Sequence, residues 1–147
     1  MLLKNLKKIK NNKNLVYYPK KKNKFLVISK TLLKDVISIA KKRKKNIFLC
    51  LHNHPEEKFH NMVIFLWKGT HYTKHRHSHK EEIINMIHGK KKINLHNKKK
   101  IIDKIILDTK KNSIIRINKN KLHSVEVLSN FVIYHEIKPG PFNEKNK

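Results

Sequence analysis

A chain of 147 residues has room for one domain with a modest core and is too short for two. Its formal net charge of +26 is typical of nucleic-acid-binding proteins, but only three of its 36 basic residues are arginines, namely Arg43, Arg76 and Arg116. Arginine is the residue that binds phosphates and bases bidentately. The excess of lysine, together with isoleucine and asparagine, is therefore interpreted as the codon bias of an A/T-rich genome, and no specific nucleic-acid partner is expected.

The cysteine count and the hydropathy pattern indicate a soluble cytoplasmic protein. Cys50 is the only cysteine, so no intrachain disulfide can form, as is typical of a reducing compartment. It lies in an apolar run, which favours a small buried side chain. No stretch approaches the roughly 20 apolar residues that span a bilayer, and the first residues lack the apolar region of a signal peptide.

The first third of the chain predicts a basic arm followed by a strand and a helix. Residues 1–24 are rich in lysine and asparagine, and we expect a poorly ordered or loosely docked arm. The alternative is an amphipathic helix, because Leu2, Leu3, Leu6 and Ile9 recur at helical spacing. In the segment 25–45, Phe25–Ile28 predicts a short strand, and Thr31 is the expected N-cap of a helix that runs to about Lys42.

From residue 46 the pattern changes to short apolar runs rich in β-branched residues. Eight such runs are separated by glycine, asparagine, aspartate or lysine clusters: Ile47–Leu51, Met62–Trp67, Ile83–Ile87, Ile93–Leu95, Ile101–Leu107, Ile114–Ile117, Leu122–Leu128 and Phe131–Ile137. Lys90–Lys92 look like solvated hairpin charges. Regularly spaced strands without intervening helices predict a sandwich or a closed barrel over residues 46–142, with 143–147 as a tail.

One stretch of this region carries metal-binding chemistry. His75 and His77 are two residues apart, so on an extended strand their imidazoles point to the same face. Glu82 opens the next strand after a short turn, and His123 begins a later strand and supplies a fourth ligand. Three imidazoles and one carboxylate suit Fe, Mn, Ni, Co or Zn and leave positions open for a substrate or water.

These residues resemble the cupin superfamily. The spacing Gly-x5-His-x-His-x4-Glu-x6-Gly of its first motif is matched from Gly69 to Gly89. The second motif usually reads Pro-x-Gly-x2-His, whereas residues 118–123 read Asn-Lys-Asn-Lys-Leu-His, so that only His123 survives. Asn120 can adopt the left-handed conformation that glycine would supply. The resemblance implies a mainly β, jelly-roll-like cupin barrel, here preceded by one short helix.

Residues 43–142 look more specifically like the WbuC family of cupin-fold metalloproteins. The supporting features are the segment 46–52, Gly69-Thr-x-Tyr before the His-Arg-His triplet, and the closing segment from His135 to Phe142. This resemblance implies an association with surface-polysaccharide (O-antigen) biosynthesis and a place for His52 in the lining of the pocket. By analogy with other cupin barrels it also implies a homodimer.

Several further side chains are candidates for the site. Glu81 competes with Glu82 as the ligand, and the spacing to Gly89 favours Glu82. His71 is expected to share the strand face of His75, either as a neighbour of the ligands or in a structural role, whereas Tyr72 is expected on the opposite face. Only one of His135 and Glu136 can point into the barrel, and an interior Glu136 would be an acid, base or neighbour of the metal.

Three functions remain open on the sequence. The first is a metal-dependent enzyme, an isomerase, lyase or oxygenase, that acts on a small polar metabolite such as a sugar or sugar nucleotide. The second is a non-catalytic cupin that binds a small carbohydrate or anion. The third makes the +26 charge functional, in a binder of nucleic acids or anionic surfaces.

Overall fold

The computed structural model describes residues 6–11, 13–20 and 25–141 of the chain. These residues form one helix and eleven strands. In chain order they are β1 (Leu6–Ile9), β2 (Leu15–Pro19), α1 (Lys30–Arg43), β3 (Ile47–Cys50), β4 (Phe59–Trp67), β5 (His71–His75), β6 (Glu82–His88), β7 (Lys91–His96), β8 (Ile101–Leu107), β9 (Ile114–Ile117), β10 (His123–Val127) and β11 (Phe131–Pro139).

Two sheets enclose the main core. The larger sheet has the order β1-β2-β3-β4-β11-β6-β9, and the smaller one has the order β5-β10-β7-β8. Alternate residues of the strands from β3 to β11 point between the sheets, which is the consequence of the period-two pattern in the sequence. The buried members of this inner core come from both sheets: Ile64, Leu66, Ile84, Met86, Ile93, Leu107, Ile117, Val125, Val127, Val132 and Tyr134.

A second core lies between the large sheet and the helix. The other residues of the same strands, such as Val63 and Phe65 of β4, point outward and pack against Leu32, Val36 and Ala40 of α1. The large sheet is therefore buried on both faces in its centre. This explains why β3 and β4 read as continuous apolar runs rather than as alternating ones.

The helix was predicted nearly to its bounds, but the strand before it was not found. Its N-cap is Ser29, two residues before the expected Thr31, and the Ser29 hydroxyl accepts a hydrogen bond of 3.1 Å from the Leu32 amide. The predicted strand Phe25–Ile28 is wrong. These residues have no neighbouring strand, and Phe25 and Val27 are 84% and 71% exposed.

The described part of the N-terminal segment is a hairpin rather than a helix or a loose arm. Strands β1 and β2 pair antiparallel, and β2 continues the large sheet by pairing in parallel with β3. Leu6 and Leu15 are buried against the helix side of the sheet, which gives the hairpin its anchor. Of the residues behind the helix alternative, Leu2 and Leu3 lie outside the described residues, as does the predicted tail 143–147.

All eight predicted apolar runs are strands. The strand expected to carry both His75 and His77 is β5, but it ends at His75, so His77 lies beyond it. The strands are short and regularly spaced, as expected, and no helix interrupts them after residue 46 within the described residues. The helix that the structure describes, α1, is not long and apolar enough to cross a membrane.

Candidate metal centre

Two strands of the small sheet place His75 beside His123. The two residues are register partners where β5 ends and β10 begins, and their ring centroids are 4.2 Å apart. His77 follows β5, with its ring centroid 5.4 Å from that of His75 and 6.2 Å from that of His123. The three histidines predicted as ligands are therefore brought together at one end of the inner core.

The fourth predicted ligand comes from the opposite sheet. Glu82 is the first residue of β6, is 5% exposed and points inward, whereas Glu81 is exposed. His77 Nε2 donates a hydrogen bond of 2.9 Å to Glu82 Oε1, and His123 Nε2 lies 3.6 Å from Glu82 Oε2. The cluster thus joins the two sheets. The spacing to Gly89 had favoured Glu82 over Glu81, and Glu82 is the buried one of the two.

The turn that departs from the second cupin motif still positions His123. Asn120 has a φ of 64°, the left-handed conformation predicted for it. Its amide donates a hydrogen bond of 2.8 Å to the carbonyl oxygen of His77. The asparagine therefore replaces the usual glycine and also ties the His123 turn to the His75–His77 segment.

The flanking glycines of the first motif both adopt positive φ. Gly69 and Gly89 each have a φ of +83°. A Cβ on Gly89 would lie 2.3 Å from the carbonyl oxygen of Phe131, whereas a Cβ on Gly69 would meet nothing within 4 Å. Backbone conformation is thus sufficient reason for glycine at position 69, and close packing is a second reason at position 89.

Hydrogen bonds to carbonyl oxygens fix the orientation of two imidazoles. His75 Nδ1 donates to Thr73 at 2.8 Å, and His123 Nδ1 donates to Lys121 at 2.9 Å. Each bond leaves Nε2 as the nitrogen that faces the cluster, an arrangement common among metal-ligating histidines. Burial lowers the pKa of His75, so its Nε2 carries a lone pair at neutral pH.

The charge of Glu82 dominates the electrostatics of the cluster. Burial alone would raise the pKa of Glu82, but hydrogen bonds from His123 and His77 and the positive charge of Lys138 hold it well below its usual range. Burial would also lower the pKa of His123, and the contact with Glu82 raises it instead. A carboxylate that stays ionised in a buried position is a strong electrostatic attraction for a cation.

Sequence analysis missed two inward-pointing lysines, the partly exposed Lys138 beside Glu82 and the buried Lys91 further inside the fold. Lys138 lies on β11, where its Nζ donates a hydrogen bond of 2.8 Å to Glu136 Oε1 and lies 3.5 Å from Glu82 Oε1. Lys91 is 1% exposed, with its Nζ 3.3 Å from the ring centroid of Tyr134. The expectation that Lys90–Lys92 are all solvated is wrong for Lys91, because β7 begins there and turns this side chain inward.

The structure decides the alternative between His135 and Glu136. Glu136 points inward and is 8% exposed, and Lys138 follows it on the same face. His135 points to the other face, where its Nε2 donates to the side-chain oxygen of Asn61. Period-two alternation along β11 could have assigned Lys138 to the interior once Glu136 was placed there.

A β-bulge reverses the expected positions of His71 and Tyr72. Four residues of β5, from Tyr72 to His75, match only three residues of β10, from His123 to Val125. Tyr72 therefore faces the inner core with its ring centroid 6.4 Å from that of His75, and burial followed by the charge of Glu136 raises its pKa to about 12. The expectation that His71 shares the face of His75 is wrong.

His71 and His52 both lie apart from the cluster. His71 pairs with Glu126 on the outer face of the small sheet, where it lines a groove of about 510 Å³ together with residues such as Ser124. His52 is 5% exposed and stacks on His60 with ring centroids 4.2 Å apart, next to the edge of Tyr18. No contact joins either side chain to His75 among the described residues.

The side chains of the cluster are paired with one another. Within the described ranges, no group of three or more His, Cys, Asp or Glu side chains is arranged to hold a metal ion. His77 Nε2 points at Glu82 Oε1, and the Lys138 ammonium lies beside the same carboxylate oxygen. The donor set still fits a divalent transition metal, because it offers three imidazole nitrogens and one ionised carboxylate.

Comparison with known sequences gives one family match. The model of a family described as a domain of unknown function (DUF6016) matches residues 28–107, which is more than half of the chain. No curated protein matches.

Comparison with solved structures gives the fold. The capsular polysaccharide assembling protein CapF from Staphylococcus aureus is 18% identical with a TM-score of 0.53 over 61% of this chain, and the match spans 25% of CapF. An RmlC-like cupin family protein from Methanocaldococcus jannaschii is 19% identical with a TM-score of 0.51, over 67% of this chain and 84% of that one. The Schizosaccharomyces pombe Cnp3 cupin domain is 14% identical with a TM-score of 0.52, over 64% of each chain. The predicted cupin fold with one short helix is confirmed.

Proposed function

For a chain that belongs to the DUF6016 family and has the cupin fold, we propose a metal-dependent function on a small polar metabolite. One divalent transition metal would be held by His75, His77, Glu82 and His123. The observation that carries this proposal is the convergence of these four side chains from three strands and a loop at one end of the inner core.

The metal would replace contacts that the cluster now makes within itself. It would replace the hydrogen bond between His77 and Glu82. It would also replace Lys138 as the positive charge beside the Glu82 carboxylate. Lys138 would keep its shorter contact with Glu136, so the lysine does not have to leave. A divalent ion held by these residues would supply Lewis-acid chemistry toward a carbonyl or hydroxyl group, and Fe, Mn, Ni, Co and Zn all suit these ligands.

The protein's own residues supply the rest of the site. Glu136 lies inside the barrel, hydrogen-bonded to Lys138, where it can exchange a proton with a ligand bound beside the metal. The Tyr72 hydroxyl keeps its proton at neutral pH and can donate to a ligand oxygen. The exposed side of the cluster is at His77, whose side chain is 21% exposed, and a small metabolite would enter there.

A carbohydrate is the ligand class proposed for this site. The support is the fold likeness to a protein described as assembling capsular polysaccharide and the sequence resemblance to the WbuC family. On this basis we propose a sugar or sugar nucleotide as the substrate and a place in surface-polysaccharide biosynthesis. Turnover with a panel of nucleotide sugars tests this step, and binding without turnover would instead favour the non-catalytic cupin.

Metal analysis of the purified protein tests the proposal. We expect about one divalent transition metal per chain after incubation with the metals and desalting, and we expect His75→Ala and His123→Ala to lose at least nine-tenths of it, because each removes a ligand. His79→Ala is the matched control, since His79 is an exposed histidine two residues from His77. Metal content that does not differ between the control and the ligand variants would contradict the proposal.

A further inference from the structure

Four charged side chains point into the inner face of the fold, and one of them, Glu82, belongs to the histidine cluster. Among the described residues, the buried carboxylates are those of Glu82 and Glu136, and the buried ammonium group is that of Lys91. Lys138 lies between the two glutamates with its side chain 17% exposed. In the part of the chain that the structure describes, Lys91 is the one buried lysine and Lys138 is the one lysine that contacts both glutamates, which sets these two apart from the general excess of lysine.

The four charges cancel. Lys138 contacts both carboxylates, at 2.8 Å from Glu136 and 3.5 Å from Glu82. Lys91 is attracted by the same two carboxylates, and its ammonium lies over the face of Tyr134. Two negative and two positive groups thus balance one another before any ligand is present.

A bound divalent metal would upset this balance. With three neutral imidazoles and Glu82 as ligands, the metal adds two positive charges to an interior that already sums to zero. An uncompensated charge in a poorly solvated site is costly, and an anion bound at an open position of the metal removes that cost. The charge count therefore favours an anionic ligand over a neutral one.

We infer that the substrate presents a carboxylate or phosphate group to the metal, and that Lys138 is the residue that recognises this anion. The inference rests on the metal site proposed above and narrows its ligand to an oxyanion. An ammonium group has three donors, and Lys138 needs only one to keep its bond to Glu136 when Glu82 turns to the metal. Lys138 and His77 are both partly exposed, so one ligand entering from that side meets the metal and the lysine together.

The neighbourhood of Lys138 strengthens the attraction. His60 is the register partner of Lys138 on β4, and the positive charges of Lys138 and Lys80 both act on it. The Lys80 ammonium donates to the carbonyl oxygen of Pro141 at the same end of the strands. Two positively charged side chains therefore lie at this end of β4 and β11, which strengthens its attraction for an anion.

Ligand titrations of the Co²⁺-loaded protein test this inference. The visible absorption of Co²⁺ reports binding, with inorganic phosphate and succinate as anions and glucose as the neutral comparison. We expect at least one of the two anions to bind at least about tenfold more tightly than glucose, the contribution of a charge-assisted hydrogen bond. The two separate titrations assign the group as a phosphate or a carboxylate.

Two substitutions that each remove one charged side chain should shift anion affinity in opposite directions. Lys138→Met removes the donor and one positive charge, so anion affinity should fall about tenfold. Glu136→Gln frees Lys138 and removes one negative charge, so anion affinity should rise. The ion pair of Lys92 and Glu126, 2.5 Å apart on the outer face, supplies the controls Lys92→Met and Glu126→Gln, which should leave anion affinity unchanged.

The outcomes separate this inference from the metal proposal. Metal bound in all variants with equal affinity for glucose and for both anions would overturn the role of Lys138 while leaving the metal site intact. Weaker anion binding in both Lys138→Met and Glu136→Gln would also overturn it, because a merely structural pair predicts that result. Absence of bound Co²⁺ from the unaltered protein would refute the metal site and this inference together.

Discussion

Lys91 is a buried lysine whose positive charge is energetically unfavourable in the folded protein. It is 1% exposed, and burial lowers its pKa to about 8, although Glu136 and Glu82 counteract part of the effect. Because the folded pKa lies below the unfolded value of 10.5, the charged form disfavours folding by about 3 kcal/mol below pH 8. This penalty disappears as the pH rises from 8 to 10.5, since the folded protein then loses its proton before the unfolded chain does.

We expect Lys91→Met to stabilise the protein. At pH 7 its free energy of unfolding should rise by about 1–3 kcal/mol, because the cost of burying the Lys91 ammonium exceeds the attraction that Glu136 and Glu82 return. Between pH 8 and 10, urea denaturation should show a gain in stability for the unaltered protein that is smaller in the variant. Lys92→Met, on the outer face of the same strand, is the control, and equal pH profiles for all three proteins would refute the assignment.

Individual residues of the site were predictable only where spacing carried information. The glycine spacing singled out His75, His77 and Glu82, and the structure brings them together with His123, although His77 lies beyond the end of β5 and not on the strand predicted for it. Lys91 and Lys138 were hidden because lysines in this chain are so common that a buried one has no distinct signal. The inversion of His71 and Tyr72 depends on one extra residue in β5, which period-two reasoning cannot anticipate.

Among the elements, strands with a strong apolar pattern were predicted and the N-terminal hairpin was not. All eight runs after residue 46 are strands, because each buries a face that the sequence makes apolar. Strands β1 and β2 are short and rich in lysine, and their place depends on pairing with β3 more than 25 residues later in the chain. A long-range partner of this kind leaves little trace in the local sequence.

The hairpin should contribute measurably to stability. Leu15 is 4% exposed, and its amide donates a hydrogen bond of 2.9 Å to the carbonyl oxygen of Asn46. We expect Leu15→Ala to lower the free energy of unfolding by about 2–4 kcal/mol in urea denaturation, through the lost contacts and the cavity. Ile102→Ala, at a 59% exposed position of β8, should change it by less than about 0.5 kcal/mol. Equal effects would mean that the hairpin is not docked.

At the scale of the whole molecule, the fold and the net charge suggest different functions. The cupin fold was predictable from one motif and the regular spacing of strands, and solved structures under 20% identical share it. The net charge of +26 first suggests a nucleic-acid binder, yet the charges that the fold organises are the few inside the barrel. The interior, with its histidines, glutamates and paired lysines, is where we place the function.

Anomalous diffraction from metal-soaked crystals, recorded at the absorption edges of Mn, Fe, Co, Ni and Zn, tests the central claim most directly. We predict one strong peak per chain, about 2.0–2.2 Å from an imidazole nitrogen of each of His75, His77 and His123 and from a carboxylate oxygen of Glu82. A map with no peak at this cluster, or with its strongest peak at surface histidines such as His79, would contradict the account.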